Sequence, residues 1–136
     1  MSHAAALHGL RLLLAAVYLI AGFFHLYATA GFVAIVPDWV PWPATVVVVT
    51  GICEWLGALG LLLPRTRRLA GIMLALYAIC VFPANLKHAF DHVATGGTVL
   101  GWGYHVPRLL FQPVLVWWPL WCTDVIRWPA RTETLR

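Results

Sequence analysis

A chain of 136 residues that is 62% hydrophobic and only 10% charged stands apart from soluble domains, which run at roughly 45–50% apolar and about 25% charged. With a mean hydropathy of +0.83, this composition excludes an ordinary soluble domain and a disordered tail. The net charge is +4, but nine Lys and Arg with a single cluster at Arg65, Arg67 and Arg68 are too few for a nucleic-acid footprint.

At about 20 apolar residues per membrane-crossing helix, the length fits one domain of four spans, and four apolar runs stand out: 7–28, 44–63, 69–90 and 106–126. The runs are long and continuous, which favours helices over the alternating segments of about ten residues in a membrane barrel. The first run has Arg11 near its start and an Ala28-Thr29-Ala30 sequence at its end, as a signal peptide would. Its length argues for a retained helix instead. The 31–43 connection is apolar but broken by Pro37, Pro41 and Pro43, so it should lie in the membrane interface as a short turn or helix. The second run stops at Pro64, and the third contains Pro83. The next connection, with Gly96, Gly97, Gly101 and Gly103, reads as a flexible cap over the outer end. The expected fold is therefore all-α, an integral membrane four-helix bundle with one interfacial segment between helices 1 and 2.

Arg and Lys in short loops set orientation. They gather in the 2–3 loop, near the start of span 1 at Arg11, and in the tail at Arg127, Arg131 and Arg136, while the 1–2 loop has none. This predicts both termini inside. Trp39, Trp42, Trp102 and Tyr104 would anchor the outer interface and Trp128 the inner one.

Polar side chains inside spans are costly and mark function by default. Glu54 falls near mid-membrane on span 2. Asn85, His88 and His92 follow i, i+3, i+7 spacing on span 3, and His105, Arg108 and Gln112 repeat it on span 4, each set forming one helix stripe. His25 ends span 1. Facing lipid, these groups would be unpaired. Facing inward, they build a polar pocket in the outer half, with Glu54 at its floor and the glycine-rich loop above. The ligand-binding set is His25, Glu54, Asn85, His88, Arg108 and Gln112. Each has a plainer reading: Glu54 as a protonated interhelical hydrogen-bonding group, Asn85 as a repair of the Pro83 break, Arg108 as a side chain snorkelling outward, His25 and Gln112 as satisfied packing groups. A weaker alternative is a metal or haem site drawn from His25, His88, His92 and His105. Cys53, Cys80 and Cys122 have no metal or disulfide spacing and read as small buried residues. Gly22, Gly51, Gly57 and Gly60, with Ala58, offer small faces for close helix contact.

Taken in order, Ala21-Gly22-Phe23-Phe24-His25, Val36-Pro37-Asp38-Trp39-Val40-Pro41, Gly51-Ile52-Cys53-Glu54, Leu61 to Ala70 at the inner loop, Val81-Phe82-Pro83-Ala84-Asn85 and Arg108-Leu109-Leu110-Phe111-Gln112 make a chain that resembles the DoxX-like family of small bacterial four-helix membrane proteins. His25, Glu54, Asn85, Arg108 and Gln112 fall on its motif positions; His92, His105 and the cysteines lie outside them. The resemblance implies a multi-pass protein of the bacterial inner membrane, acting as an accessory subunit of a quinone-linked redox system. Such families are tied to respiratory and thiosulfate–quinone oxidoreduction, to methylamine utilisation and to oxidative-stress complexes. Its expected partners are the lipid bilayer, a redox enzyme subunit and further copies of itself, with no nucleic acid; its cofactor would be a quinone sooner than a metal or haem. The rival expectation is a structural or assembly protein without ligand. No nucleophile–base constellation or phosphate loop is present in the sequence, so nothing in it argues for catalysis by the isolated chain.

Overall fold

The computed structural model describes residues 3–96 and 101–126. Among them there are six helices and no strand: α1 (His3–Tyr27), α2 (Thr29–Ile35), α3 (Pro43–Leu62), α4 (Arg67–Ala94), α5 (Trp102–Leu110) and α6 (Gln112–Cys122). Three of them, α1, α3 and α4, are long and apolar enough to cross a membrane. The tail arginines, Trp128 and Gly97 lie outside the described residues.

Local chemistry explains most boundaries. Pro43 opens α3 at its first turn, where a missing N–H costs nothing. Pro64 ends it by pushing Leu63 into extended backbone, and Thr66 Oγ1 donates to the Gly60 carbonyl at 3.0 Å. The α6 terminus is a Schellman-type closure, with Asp124 in the left-handed region (φ 61°) and the Val125 N–H reaching back to Leu120 at 3.0 Å. This stops the helix at Cys122, four residues short of the 106–126 run.

Two expectations change in form. The segment expected to lie in the interface as a short turn or helix begins within a seven-residue helix, α2, which follows a single turn residue at Ala28 and ends at Ile35. Lys87 of α4 holds its end, donating to the carbonyls of Ala34 (3.3 Å) and Val36 (3.1 Å) and pairing with Asp38 (3.1 Å). The fourth run is not one helix. It begins earlier, at Trp102, and is divided at Phe111 between α5 and α6, because Pro107, Pro113 and Pro119 each remove a helix donor. Gly101, at φ 46°, supplies the turn into α5, so Gly103 lies in a helix and not in a loop.

The chain is polarised along its length. At one end, Arg11 reaches the Cys122 carbonyl and Arg68 the Asp124 carbonyl, both at 3.5 Å. The start of α1, the α3–α4 turn and the close of α6 therefore share this basic end. Here the core is solid: Leu14, Ala15, Tyr18, Ala58, Leu61, Ala70, Leu74 and Cys122, with Tyr77, Trp118 and Trp121 against them. Small residues let the backbones approach. A Cβ on Gly22 would lie 2.7 Å from the Gly51 carbonyl oxygen, and one on Gly60 would lie 2.8 Å from the Ala70 Cβ. The outward faces carry exposed Leu12, Leu13, Ile20, Phe23, Leu56, Leu59, Leu69, Met73 and Ile79. So broad an apolar surface suits lipid and not water.

Candidate functional site

Beyond the Tyr18–Tyr77 layer the packing stops and a cavity of about 390 Å³ begins. Its lining is mostly apolar and draws on α1, α2, α3, α4, α5 and α6. All six residues singled out from sequence, His25, Glu54, Asn85, His88, Arg108 and Gln112, line it.

Glu54 sits on the buried stripe of α3 between Gly51 and Gly57 and is 3% exposed. Tyr77 Oη donates to its Oε1 at 2.7 Å. His25 Nδ1 lies 2.9 Å from Oε2 and 3.0 Å from the Ala21 carbonyl oxygen. One ring N–H faces both acceptors and aligns with Ala21, so Oε2 has no well-directed donor among the described residues. The His25 ring stacks on Phe32 of α2 at 4.0 Å between centroids. Tyr18 meets Tyr77 edge to face at 6.2 Å, and its hydroxyl is buried without a partner among the described residues.

A second network crosses the wall. Pro83 lies within α4 and leaves that helix short of a donor one turn earlier. Asn85 does not supply it. The Gln112 amide donates to the neighbouring Ala78 carbonyl, while Asn85 Nδ2 donates to Gln112 Oε1 at 3.1 Å. Arg108 does not run out to the surface. Its guanidinium donates to the Asn85 carbonyl (3.0 Å) and side-chain oxygen (3.4 Å), lies 5.9 Å from the Tyr104 ring centre, and keeps a buried Nε unpaired among the described residues.

The four histidines of the metal alternative separate. His25 stays with Glu54. His88, His92 and His105 come together, with one ligand atom from each lying within 4.8 Å of the others. His92 Nδ1 and His105 Nε2 are 3.0 Å apart. Their rings crowd edge-on against one another, which leaves no slot for a haem between two axial imidazoles.

Much of the glycine-rich connection expected above the cavity, residues 97–100, lies outside the described residues. Among the described residues the roof comes from Phe32, Ile35, Val36, Pro37, Trp39 and Val40 of the 1–2 segment, with no residue of the glycine-rich connection. Those apolar side chains fold back over the cavity because Lys87 fixes the segment beneath them. Sequence reasoning passed over Tyr18, Phe32 and the Lys87 clamp. Tyr18 precedes His25 by seven residues, the same helix-face interval that singled out the other stripes. The cysteines divide: Cys122 is buried as expected, whereas Cys53 and Cys80 are exposed, Cys80 at the border of the cavity.

Residues 14–123 match the model of a family described as a domain of unknown function, DUF8561, and the chain belongs to that family. Every residue of the cavity's polar lining falls inside the matched stretch. No curated protein and no solved structure matches the chain.

Proposed function

We propose that this is a four-span protein of the bacterial inner membrane that binds the head group of a quinone or similar lipophilic molecule in the cavity, as an accessory subunit of a membrane redox system. The fourth crossing is α5 and α6 in succession, with both termini inside, since the arginines of the basic end belong on the cytoplasmic side. The likeness to DoxX-like proteins supports the redox association.

The observation that carries this reading is a mostly apolar cavity bordered by buried polar atoms without hydrogen-bond partners among the described residues, Tyr18 Oη and Arg108 Nε, and by the buried Glu54 carboxylate, whose Oε2 meets only the His25 ring. An unpaired buried polar group is costly, and these atoms border a cavity that a ligand can enter. A volume of about 390 Å³ falls in the lower part of the range for small-molecule sites, roughly 300–1,000 Å³. It fits a ring with its substituents and leaves a long tail outside. A quinone presents two carbonyl acceptors across an apolar ring. Tyr18 and the His25–Glu54 pair address one level of the cavity, and Arg108 with Asn85 the other. Glu54 would accept a hydrogen bond from the reduced form's hydroxyl.

Calorimetric titration of the detergent-solubilised chain with a short-chain benzoquinone tests this. Glu54→Gln and Arg108→Ala are expected to weaken binding about tenfold each, equivalent to about 1.4 kcal/mol. Correctly folded variants that bind as the unaltered chain does would refute it.

A further inference from the structure

We propose that His88, His92 and His105 form a mononuclear three-imidazole site for a borderline divalent cation of the zinc class, at the rim of the cavity and separate from the Glu54 floor.

The argument is geometric. A zinc–nitrogen bond is about 2.0–2.1 Å, and a ring nitrogen is about 1.2 Å from its ring centre. Three imidazoles arranged tetrahedrally about one ion therefore hold their centres about 5.2 Å apart. The observed separations are 5.3 Å for His88–His92, 5.2 Å for His88–His105 and 5.2 Å for His92–His105. All three sides of the triangle match. The 3.0 Å approach of His92 Nδ1 to His105 Nε2 is slightly shorter than two ligands of one ion would keep, about 3.3 Å. A hydrogen bond between these nitrogens accounts for it; an ion would take its place, each neutral ring then carrying its single proton on the other nitrogen.

Hydrogen bonding alone leaves the cluster incomplete. Three imidazoles offer six ring nitrogens, and the rings share one hydrogen bond among themselves. The Nδ1 atoms of His88 and His105 are buried and without partners among the described residues, although His105 is fully buried. Two independent elements build the site. His88 and His92 are one turn apart on α4, and α5 presents His105 to them across the connection. Imidazole-only ligands suit zinc, copper, nickel and iron and not calcium or magnesium. With three protein ligands, a coordination position stays open. Because His88 also lines the cavity, the open position belongs to a site that a cavity ligand can approach.

The test is titration of the full-length chain, purified without a polyhistidine tag, with Co²⁺ as the spectroscopic stand-in and Zn²⁺ as competitor. One equivalent should bind with the intense visible bands of four-coordinate cobalt, and Zn²⁺ should displace it. His88→Gln and His92→Gln, both on partly exposed side chains, should each weaken binding by about 100-fold. His8→Gln, on an exposed residue at the basic end, should bind as the unaltered chain does. Cadmium NMR of the unaltered chain should report an all-nitrogen protein ligand set, which needs no variant. Absence of stoichiometric cobalt binding, unchanged binding in the His88→Gln/His92→Gln double variant, or a sulfur-ligand cadmium shift would each overturn the proposal. No quinone enters these measurements, so their outcome is independent of the quinone titration.

Discussion

Replacing Gly22 by Ala should uncouple the floor of the cavity. Gly22 of α1 and Gly51 of α3 face each other at a close backbone crossing, and one turn further along each helix stand His25 and Glu54. An added Cβ at Gly22 would lie 2.7 Å from the Gly51 carbonyl oxygen and 2.5 Å from Trp55 Cδ1, where ordinary contact begins at 3.4 Å. The carbonyl belongs to a helix and cannot turn aside, so α1 and α3 must separate by about 0.7 Å; overpacking of this kind costs about 1–3 kcal/mol. The Trp55 Nε1 bond to the Leu19 carbonyl, 3.0 Å, is strained by the same clash and stands to lose about 1 kcal/mol. Against this, Ala improves on Gly in a helix by up to about 1 kcal/mol. The net expectation is destabilisation of about 1–3 kcal/mol, with the His25–Glu54 contact opening from 2.9 Å beyond hydrogen-bonding range. Unfolding of the detergent-solubilised chain, followed by circular dichroism, reads the stability; quinone titration reads the site. Gly9 and Gly31 are controls, since a Cβ there meets nothing within 4 Å, and Ala should be neutral or slightly stabilising. A Gly22→Ala chain as stable as the unaltered one, with unchanged binding, would show that this crossing does not hold His25 against Glu54.

The two buried tyrosines should behave oppositely. Tyr77→Phe removes the donor to Glu54 Oε1 and should lower stability by about 1.5–3 kcal/mol, whereas Tyr18→Phe removes a hydroxyl without a partner among the described residues and should be neutral or stabilising while weakening quinone binding; equal thermal shifts for the pair would contradict the assignment. Lys87→Ala frees two carbonyls at the end of α2 and removes the partner of Asp38, so amide hydrogen exchange across residues 34–40 should quicken with little change in the α1–α3 core. Of the three cysteines, only Cys122 is buried; a membrane-permeant maleimide should modify Cys53 and Cys80 in the folded chain and reach Cys122 only after unfolding, as read by mass spectrometry of the peptides.

Much of the architecture could be read from local pattern. Long apolar runs separated by prolines and arginines produce helices wherever they occur, so the bounds of α1 and α3 follow closely from residues 7–28 and 44–63. Stripes at helical spacing placed Asn85, His88, Arg108 and Gln112 on faces that had to turn inward, and depth within span 2 singled out Glu54. These inferences need only the helix period and the cost of an unpaired polar group in hydrocarbon. The fourth run resisted the same reasoning, because its prolines are compatible either with a kinked helix or with two helices meeting at Phe111, and only packing chooses between them.

The sparse charge of this chain was assigned by sequence to two ends, arginines at one and isolated polar groups toward the other. Tertiary structure decided the partnerships. Arg108 holds Asn85, Gln112 reaches the Ala78 carbonyl, Lys87 ties down the roof, and His25 leaves the other histidines to join Glu54. Each of these joins residues more than twenty positions apart, and periodicity within one helix carries no information about the rotation of another helix against it. Gly22 and Gly51 supply that missing rotation, by permitting an approach between α1 and α3 that any larger side chain would prevent.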